Sequence, residues 1–378
     1  MKILFITHSG NLTYGAAKSL GLILGNIDFE YDLLCEKYLT KKYSIDEIRQ
    51  YTGNKVNKIY SFWLPYEDQA VLMEKDNSKY SIIRRKLSNL FVRLKSLIDK
   101  VKIYRIIKKE SYDMIYLNSI VLYPLISKKY NFIIHIRELY SGYNKKVIEK
   151  KVNMAKAIIF IDYATKNSFS KTINEIKPKK YILNNPFDMK YVKSIDSNKI
   201  YQSYNINKDK VIFSIIGVVE KTKGVDFVIN QFMNIKNKNA ILLVVGSGDK
   251  NFVDYCKSIA FKDKRIYFLD EIVNIGEIYA ISDYIIRGDI IFAIGRTIYE
   301  ALYSSCDVII PGLDSDKSNV FEFNKFEEKI HFYIPRNEVS LIDIISNCAG
   351  KKVIKELYYD NINKYITNIS GVFNEILK

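Results

Sequence analysis

The sequence predicts an α/β protein of two domains, each a parallel sheet doubly wound with helices. Three observations carry this reading. Short apolar runs that read as strands buried on both faces alternate along the chain with helical segments. A polar stretch, Lys190–Asn207, follows Pro186 and interrupts that alternation. The length, 378 residues, is enough for two such cores.

The first half opens on a strand, Lys2–Thr7, followed by a loop from His8 to Gly15 and a helix from Ala16 to Leu24. Ligands of open α/β sheets bind at the carboxyl ends of strands, so this loop points at a site. Strands follow at Tyr31–Leu34 and Lys55–Tyr60, with a helix near Ile45–Tyr51 between them. Phe62–Tyr66 is an aromatic loop holding Trp63, the one tryptophan. Ile83–Lys109 carries an apolar stripe at helical spacing and ten Lys or Arg against one acid, Asp99. Ile83–Leu94, with Arg84, Arg85, Lys86 and Arg93, reads as a basic amphipathic segment for an anionic membrane surface. Leu97–Lys109 reads as a crossover helix packed on the sheet. Further strands are expected at Tyr112–Leu117, ending in Asn118, at Phe132–His135, followed by Arg137 and Glu138, at Ala157–Ile161 and at Tyr181–Asn184.

The second half opens on Val211–Ile216, then the loop Gly217–Gly224 and a helix from Val225. Ala240–Val245 ends in Gly246-Ser247-Gly248, and Arg265–Leu269 is the next strand. Glu277–Ser282 reads as a helix, Asp289–Ile294 as a buried strand and Arg296–Leu302 as a helix. Val308–Ile310 is a strand stopped by Pro311-Gly312. Helices are expected over Glu338–Asn347 and Lys351–Leu377. Arg296 and Glu300 are four residues apart and share one helical face. A helix N-terminus with an Arg binds phosphate well, and a carboxylate one turn on can accept hydrogen bonds from ribose hydroxyls. The stretch is shaped for a nucleoside diphosphate.

Composition narrows the class. The net charge is +16, and all of it sits in residues 1–190, which hold 34 Lys and Arg against 18 Asp and Glu. A basic half beside a neutral half suggests one domain facing an anionic surface. No nucleic-acid-binding module is present, so nucleic acid is not the expected partner. No run of 18 apolar residues and no signal-peptide pattern occur, and four scattered cysteines fit a reduced, cytoplasmic protein. Three scattered histidines give no metal cluster, and Asp314-Ser315-Asp316 reads as a polar turn after a strand.

The motif Gly295-Arg296-Thr297-x-x-Glu300-Ala301-Leu302 resembles the donor-site motif of retaining glycosyltransferases of the GT-B fold. It is closest to a subgroup with a Gly-Arg turn in place of the usual Glu-Gly-Phe-Gly loop. The family carries two glutamates eight residues apart; Glu300 matches the second, and Phe292 stands at the first. Gly217, Lys223 and Gly224 resemble the family's Gly-Arg…Lys-Gly segment, with Val218 where the Arg belongs; Arg296 is expected to supply the missing charge. Asn185-Pro186-Phe187-Asp188 resembles the family's linker.

The resemblance implies two Rossmann-like domains facing a cleft: an acceptor domain over 1–190, a nucleotide-sugar domain over 205–355, and a helix in 356–378 crossing back to the first. It implies transfer of a sugar from a nucleotide-sugar to an acceptor hydroxyl, retaining and metal-independent, with no cofactor. Lys223, Arg296 and His135 would be catalytic. Gly15, Gly217, Gly224, Gly246, Gly295, Thr297 and Glu300 would bind donor, and Asn118, Arg137 and Glu138 the acceptor. A glycan or lipid-linked acceptor for a bacterial surface polysaccharide or glycolipid, at the inner face of the cell membrane, is the expected setting. The alternatives are a non-catalytic binding subunit, which Phe292 and Val218 would suit, and a nucleotide-sugar enzyme such as an epimerase.

Overall fold

Ile3–Thr7 (β1) is buried along its whole length, as an unbroken apolar run demands: water is excluded from both faces of the strand, not one. It lies in a seven-stranded parallel sheet with Tyr31–Glu36 (β2), Val56–Phe62 (β3), Met114–Leu117 (β4), Phe132–Ile136 (β5), Ala157–Phe160 (β6) and Lys179–Ile182 (β7). The order is β3-β2-β1-β4-β5-β6-β7. The computed structural model of the chain describes residues 2–12, 15–27, 29–71, 79–186, 197–272, 274–290, 294–320, 323–355 and 371–376, without the side chains of 79–93 and 199–200. Phe292, Phe187 and Asp188 lie outside the described residues, as do the side chains of Arg84, Arg85, Lys86 and Arg93.

The chain divides into two compact units, Met1–Pro186 with Tyr365–Lys378, and Phe187–Lys364. In the first, alternation along each strand sends residues to two cores. Leu4, Ile6, Ile115, Leu117, Ile134 and Ile136 face one way, where Ile103 and Ile107 of a long helix, Lys79–Glu110 (α1), cover them. Ile3, Phe5, Met114, Tyr116 and Ile133 face the other way, under the helix Gly15–Asn26. Val372, Phe373 and Ile376, from a helical segment over 371–376, complete this second core. Phe373 is fully buried, with ring centroids 5.6 Å from Tyr116, 5.9 Å from Phe5 and 6.1 Å from Phe29. Of the helix expected over Lys351–Leu377, Lys351–Lys355 is not helical, 371–376 is helical, and residues 356–370 lie outside the described residues.

The long helix corrects the sequence reading of Leu97–Lys109 as simply packed on the sheet. Its inward stripe is Ser96, Asp99, Ile103 and Ile107, whereas Leu97, Ile98 and Val101 point outward and are exposed. Asp99 is inward because its carboxylate accepts the Trp63 backbone N–H at 3.0 Å and a bond from Lys102 at 2.8 Å.

The second unit is a six-stranded parallel sheet in the order β10-β9-β8-β11-β12-β13. Its strands are Val211–Ile216 (β8), Ala240–Val245 (β9), Ile266–Leu269 (β10), Tyr284–Ile286 (β11), Asp307–Pro311 (β12) and Ile330–Tyr333 (β13). The strand next to β8 and β12 is Tyr284–Ile286, ahead of the expected Asp289–Ile294, of which residues 291–293 lie outside the described residues. It pairs with β8 through Tyr284↔Phe213 and with β12 through Ile285↔Val308. Asp289 and Ile290 lie past its end, outside any strand. Asp283, just before the strand, accepts the Ile212 and Val353 backbone N–H groups and so pins the strand start to β8.

In both sheets the order reverses direction once, between β1 and β4 and between β8 and β11. Loops leave such a switch point on opposite faces and open a crevice at the strands' carboxyl ends.

Candidate functional site

The β8/β11 switch point gathers most of the donor residues named from the sequence. Gly217 follows β8 with φ +136°, and Gly246 follows β9 with φ +131°. A Cβ at Gly246 would overlap the Gly217 carbonyl, so the two turns touch backbone to backbone. Gly224, at φ +59°, ends the loop that carries Lys223 and starts the helix Val225–Met233 (α2). A Cβ on it would run into Gly288, the residue after Arg287. These glycines hold the β8 loop hard against the β11 loop.

That packing places Lys223 beside Asp289, Nζ to Oδ1 3.2 Å. The other carboxylate oxygen accepts from Arg287 Nε at 2.7 Å, and Arg287 Nη1 donates to Thr297 Oγ1 at 3.2 Å. Thr297 and Gly295 open the helix Arg296–Tyr303 (α3). Two cations thus converge on one carboxylate beside a helix N-terminus. Burial alone would raise the Asp289 carboxyl, but Arg287 and Lys223 outweigh it and hold it below its ordinary value. Burial would lower the Arg287 guanidinium, and Asp289 reverses that. The Lys223 side chain is 41% exposed, whereas those of Arg287 and Asp289 are nearly closed to solvent, so Lys223 is the member of the trio open to an arriving anion.

Sequence reasoning missed Arg287 and Asp289. The signal was present: Arg287-Gly288-Asp289 directly follows the strand, a charged pair too polar to belong to it.

Arg296 shares one face of α3 with Glu300, as the four-residue spacing requires. Its Nε lies 3.0 Å from Glu300 Oε1, so the side chain turns along its own helix. Glu300 is buried, and its other oxygen accepts from the Tyr279 hydroxyl at 2.7 Å. Burial and the Glu300 charge together drive the Tyr279 hydroxyl well above its ordinary pKa. Glu300 therefore sits in a buried group with Arg296 and Tyr279.

The first unit holds a second polar group at its own switch point. Asn118 follows β4, His135 lies in β5, and Arg137 follows β5; all three are buried. Arg137 Nη1 is 3.3 Å from Asn118 Oδ1 and from His135 Nδ1, and Nη2 bonds Asn185. The Tyr116 hydroxyl also bonds His135 Nδ1. Burial and then Arg137 push His135 well below its ordinary value, so the ring is neutral. His135 Nε2 and Asn118 Nδ2 are buried without a hydrogen-bond partner. Glu138 accepts the Arg137 backbone N–H at 3.2 Å, and burial raises its carboxyl. His8, at the end of β1, joins this group: burial and Arg137 bring it down to about 4. His135 has no exposed surface and braces Arg137 from beneath. Gly15 stands at the first turn of its helix with open space where a Cβ would be.

Among the described residues, no group of three or more His, Cys, Asp or Glu is placed to hold a metal ion. No helix of the described residues is long and apolar enough to cross a membrane.

Comparison with known proteins bears on the fold and the second unit. Residues 196–311 match the family model described as "Glycosyl transferases group 1". No curated protein matches by sequence. Among solved structures, Anabaena HepE in complex with UDP and glucose is similar at 16% identity, with a TM-score of 0.68, over 99% of this chain and 95% of that one. A glycosyltransferase from Rickettsia africae is similar at 15% identity and TM-score 0.67, over 100% and 98% of the two chains. Sucrose-phosphate synthase from Thermosynechococcus elongatus is similar at 13% identity and TM-score 0.68, over 100% and 96%. The two parallel sheets have the GT-B fold, and residues 196–311 of the second unit match the glycosyl transferases group 1 domain.

Proposed function

We propose that the second unit binds a nucleoside-diphosphate sugar at the β8/β11 switch point and that the enzyme transfers the sugar to an acceptor hydroxyl. The observation that carries this is the convergence of Lys223 and Arg287 on Asp289 beside the α3 N-terminus. The developing charge of the transition state falls on the departing diphosphate. Preorganised cations that strengthen their hold as that charge grows lower the barrier. Lys223 leaves Asp289 for the diphosphate, and Arg287, fixed by Asp289 and Thr297, stands behind it. Arg287 thereby fills the role vacated at Val218. With this positive charge on side chains, the transfer runs without a divalent ion or other cofactor. The likeness of 295–302 to retaining enzymes supports retention at the anomeric carbon.

In the first unit, Arg137, Asn118 and Glu138 receive the acceptor, with His135 as a neutral support. The excess of basic residues in 1–190, Arg84, Arg85, Lys86 and Arg93 among them, suits an acceptor carried at an anionic membrane. The enzyme would then work from the inner face of a bacterial membrane on a surface polysaccharide or glycolipid. UDP, bound in HepE, is the first nucleotide to test. A ligand that binds only the folded state raises the thermal midpoint. UDP is expected to raise it more than GDP, ADP or CMP, and Lys223→Ala to reduce the rise. No shift with any of them would leave a non-catalytic binding subunit as the better reading.

A further inference from the structure

The outward face of the long helix α1 is apolar for two turns and then basic. Leu94, Leu97, Ile98 and Val101 are each more than half exposed, at 58%, 61%, 63% and 52%. The stripe runs about 10 Å along the helix axis. Arg105, Lys108 and Lys109 continue the exposed side. Beside the stripe stands Trp63, which meets the exposed ring of Tyr38 edge-on at 4.8 Å. Lys41 and Lys95 lie over the Trp63 ring at 5.2 and 5.4 Å. Between helix and loop is an open recess of about 370 Å³ lined by Lys37, Trp63, Lys95, Ile98 and Lys102. The acid in it, Asp99, is turned toward Lys102 and the Trp63 N–H.

We propose that this face docks on an anionic phospholipid bilayer, with Leu97, Ile98 and Val101 at the acyl boundary, Trp63 and Tyr38 at headgroup level and the lysines on lipid phosphates. An aliphatic stripe beside amphipathic rings and a surplus of lysine is how a helix lies in a membrane interface. Charge selects the occupant: among the described residues of this face, Lys37, Lys41, Lys95, Lys102 and Arg105 stand with one acid, Asp99, a balance that suits a sheet of phosphates. The proposal deepens the reading of a membrane-borne acceptor and is independent of the donor site. It also moves the contact about three turns past the basic cluster at Arg84–Lys86.

The test is co-sedimentation of the full chain with vesicles of phosphatidylcholine alone, or mixed equally with phosphatidylglycerol. The wild type is expected to pellet with the mixed vesicles only, and less as salt rises. Leu97→Glu with Ile98→Glu should keep it in the supernatant. Lys41→Ala and Lys95→Ala should each weaken binding about fivefold. All variants should keep the wild-type unfolding midpoint, because the replaced side chains lie outside the core. The idea is overturned by a wild type that stays in solution with both vesicles, or by a double variant that pellets normally. It also fails if Arg84, Arg85 and Lys86 to Glu alone accounts for binding, or if the wild type is a lipid-free dimer that the double variant splits. Stabilisation by UDP is read separately on the same samples: if it is absent while vesicle binding stands, the donor site falls and this face remains.

Discussion

Arg287→Lys isolates what the guanidinium does, because it keeps the charge and removes the fork. Arg287 bonds Asp289 through Nε at 2.7 Å and Thr297 through Nη1 at 3.2 Å, and a single ammonium cannot reach both in that geometry. The lost bond is charge-assisted and closed to solvent, so it is worth about 2 kcal/mol. For a unit of this size that lowers the midpoint of the second unit's unfolding by roughly 4–8 °C. If the second nitrogen also meets the diphosphate, UDP affinity falls about tenfold, the equivalent of roughly 1.4 kcal/mol. Lys223→Ala is the companion. Its half-exposed ammonium supports little of the fold, so it should weaken UDP without moving the midpoint. Calorimetric unfolding and titration with UDP read both quantities. An Arg287→Lys protein that binds UDP within twofold of wild type would refute the assignment of Arg287 to the diphosphate, whatever its stability.

Two further outcomes test the first unit. Phe373→Ala empties a fully enclosed site among Phe5, Phe29 and Tyr116 and should cost about 3–5 kcal/mol, seen as a lower urea midpoint for the first unit; an unchanged midpoint would mean that residues 371–376 do not complete that core. Glu36 is enclosed at the end of β2, where it accepts the Lys37 and Leu64 backbone N–H groups at 2.9 and 3.0 Å, and burial pushes its carboxyl up to about 7. The folded state then holds a proton that the unfolded chain releases near pH 4.5, so this stability is present at low pH and is lost as pH rises to about 7. The loss is about 3 kcal/mol, and Glu36→Gln should remove that pH dependence; equal slopes for the two proteins between pH 4.5 and 7 would exclude Glu36 as its source.

The strands most legible in the sequence were those whose apolar run is bounded by turn residues on both sides. Val211–Ile216 ends at Gly217 and Ala240–Val245 at Gly246, and both have the expected bounds. Tyr284–Ile286 was displaced because two apolar runs flank Arg287-Gly288-Asp289, and local hydrophobicity does not say which of them pairs with β8. The register is set at a distance, by Asp283 on Ile212. The same limit hid Arg287. Its partners are two and ten residues away in sequence, and Lys223, which shares Asp289, is 66 residues from that aspartate. Glu300 was legible as the helical neighbour of Arg296 but not as a buried residue, since Tyr279 reaches it from another helix. The outward stripe on α1 was misread because hydrophobic spacing assumes the apolar side faces in. Here Ser96 and Asp99 face in and are buried.

The seating of Phe373 in the first unit's core bears on how the chain is made. Every residue of the second unit is synthesised before the side chain that closes the first. As the chain emerges from the ribosome, the first sheet is left with an apolar gap over Phe5 and Tyr116 while the second unit can already collapse around β8 to β13. The first unit, although made first, thus completes its core only with residues that are made after the whole of the second.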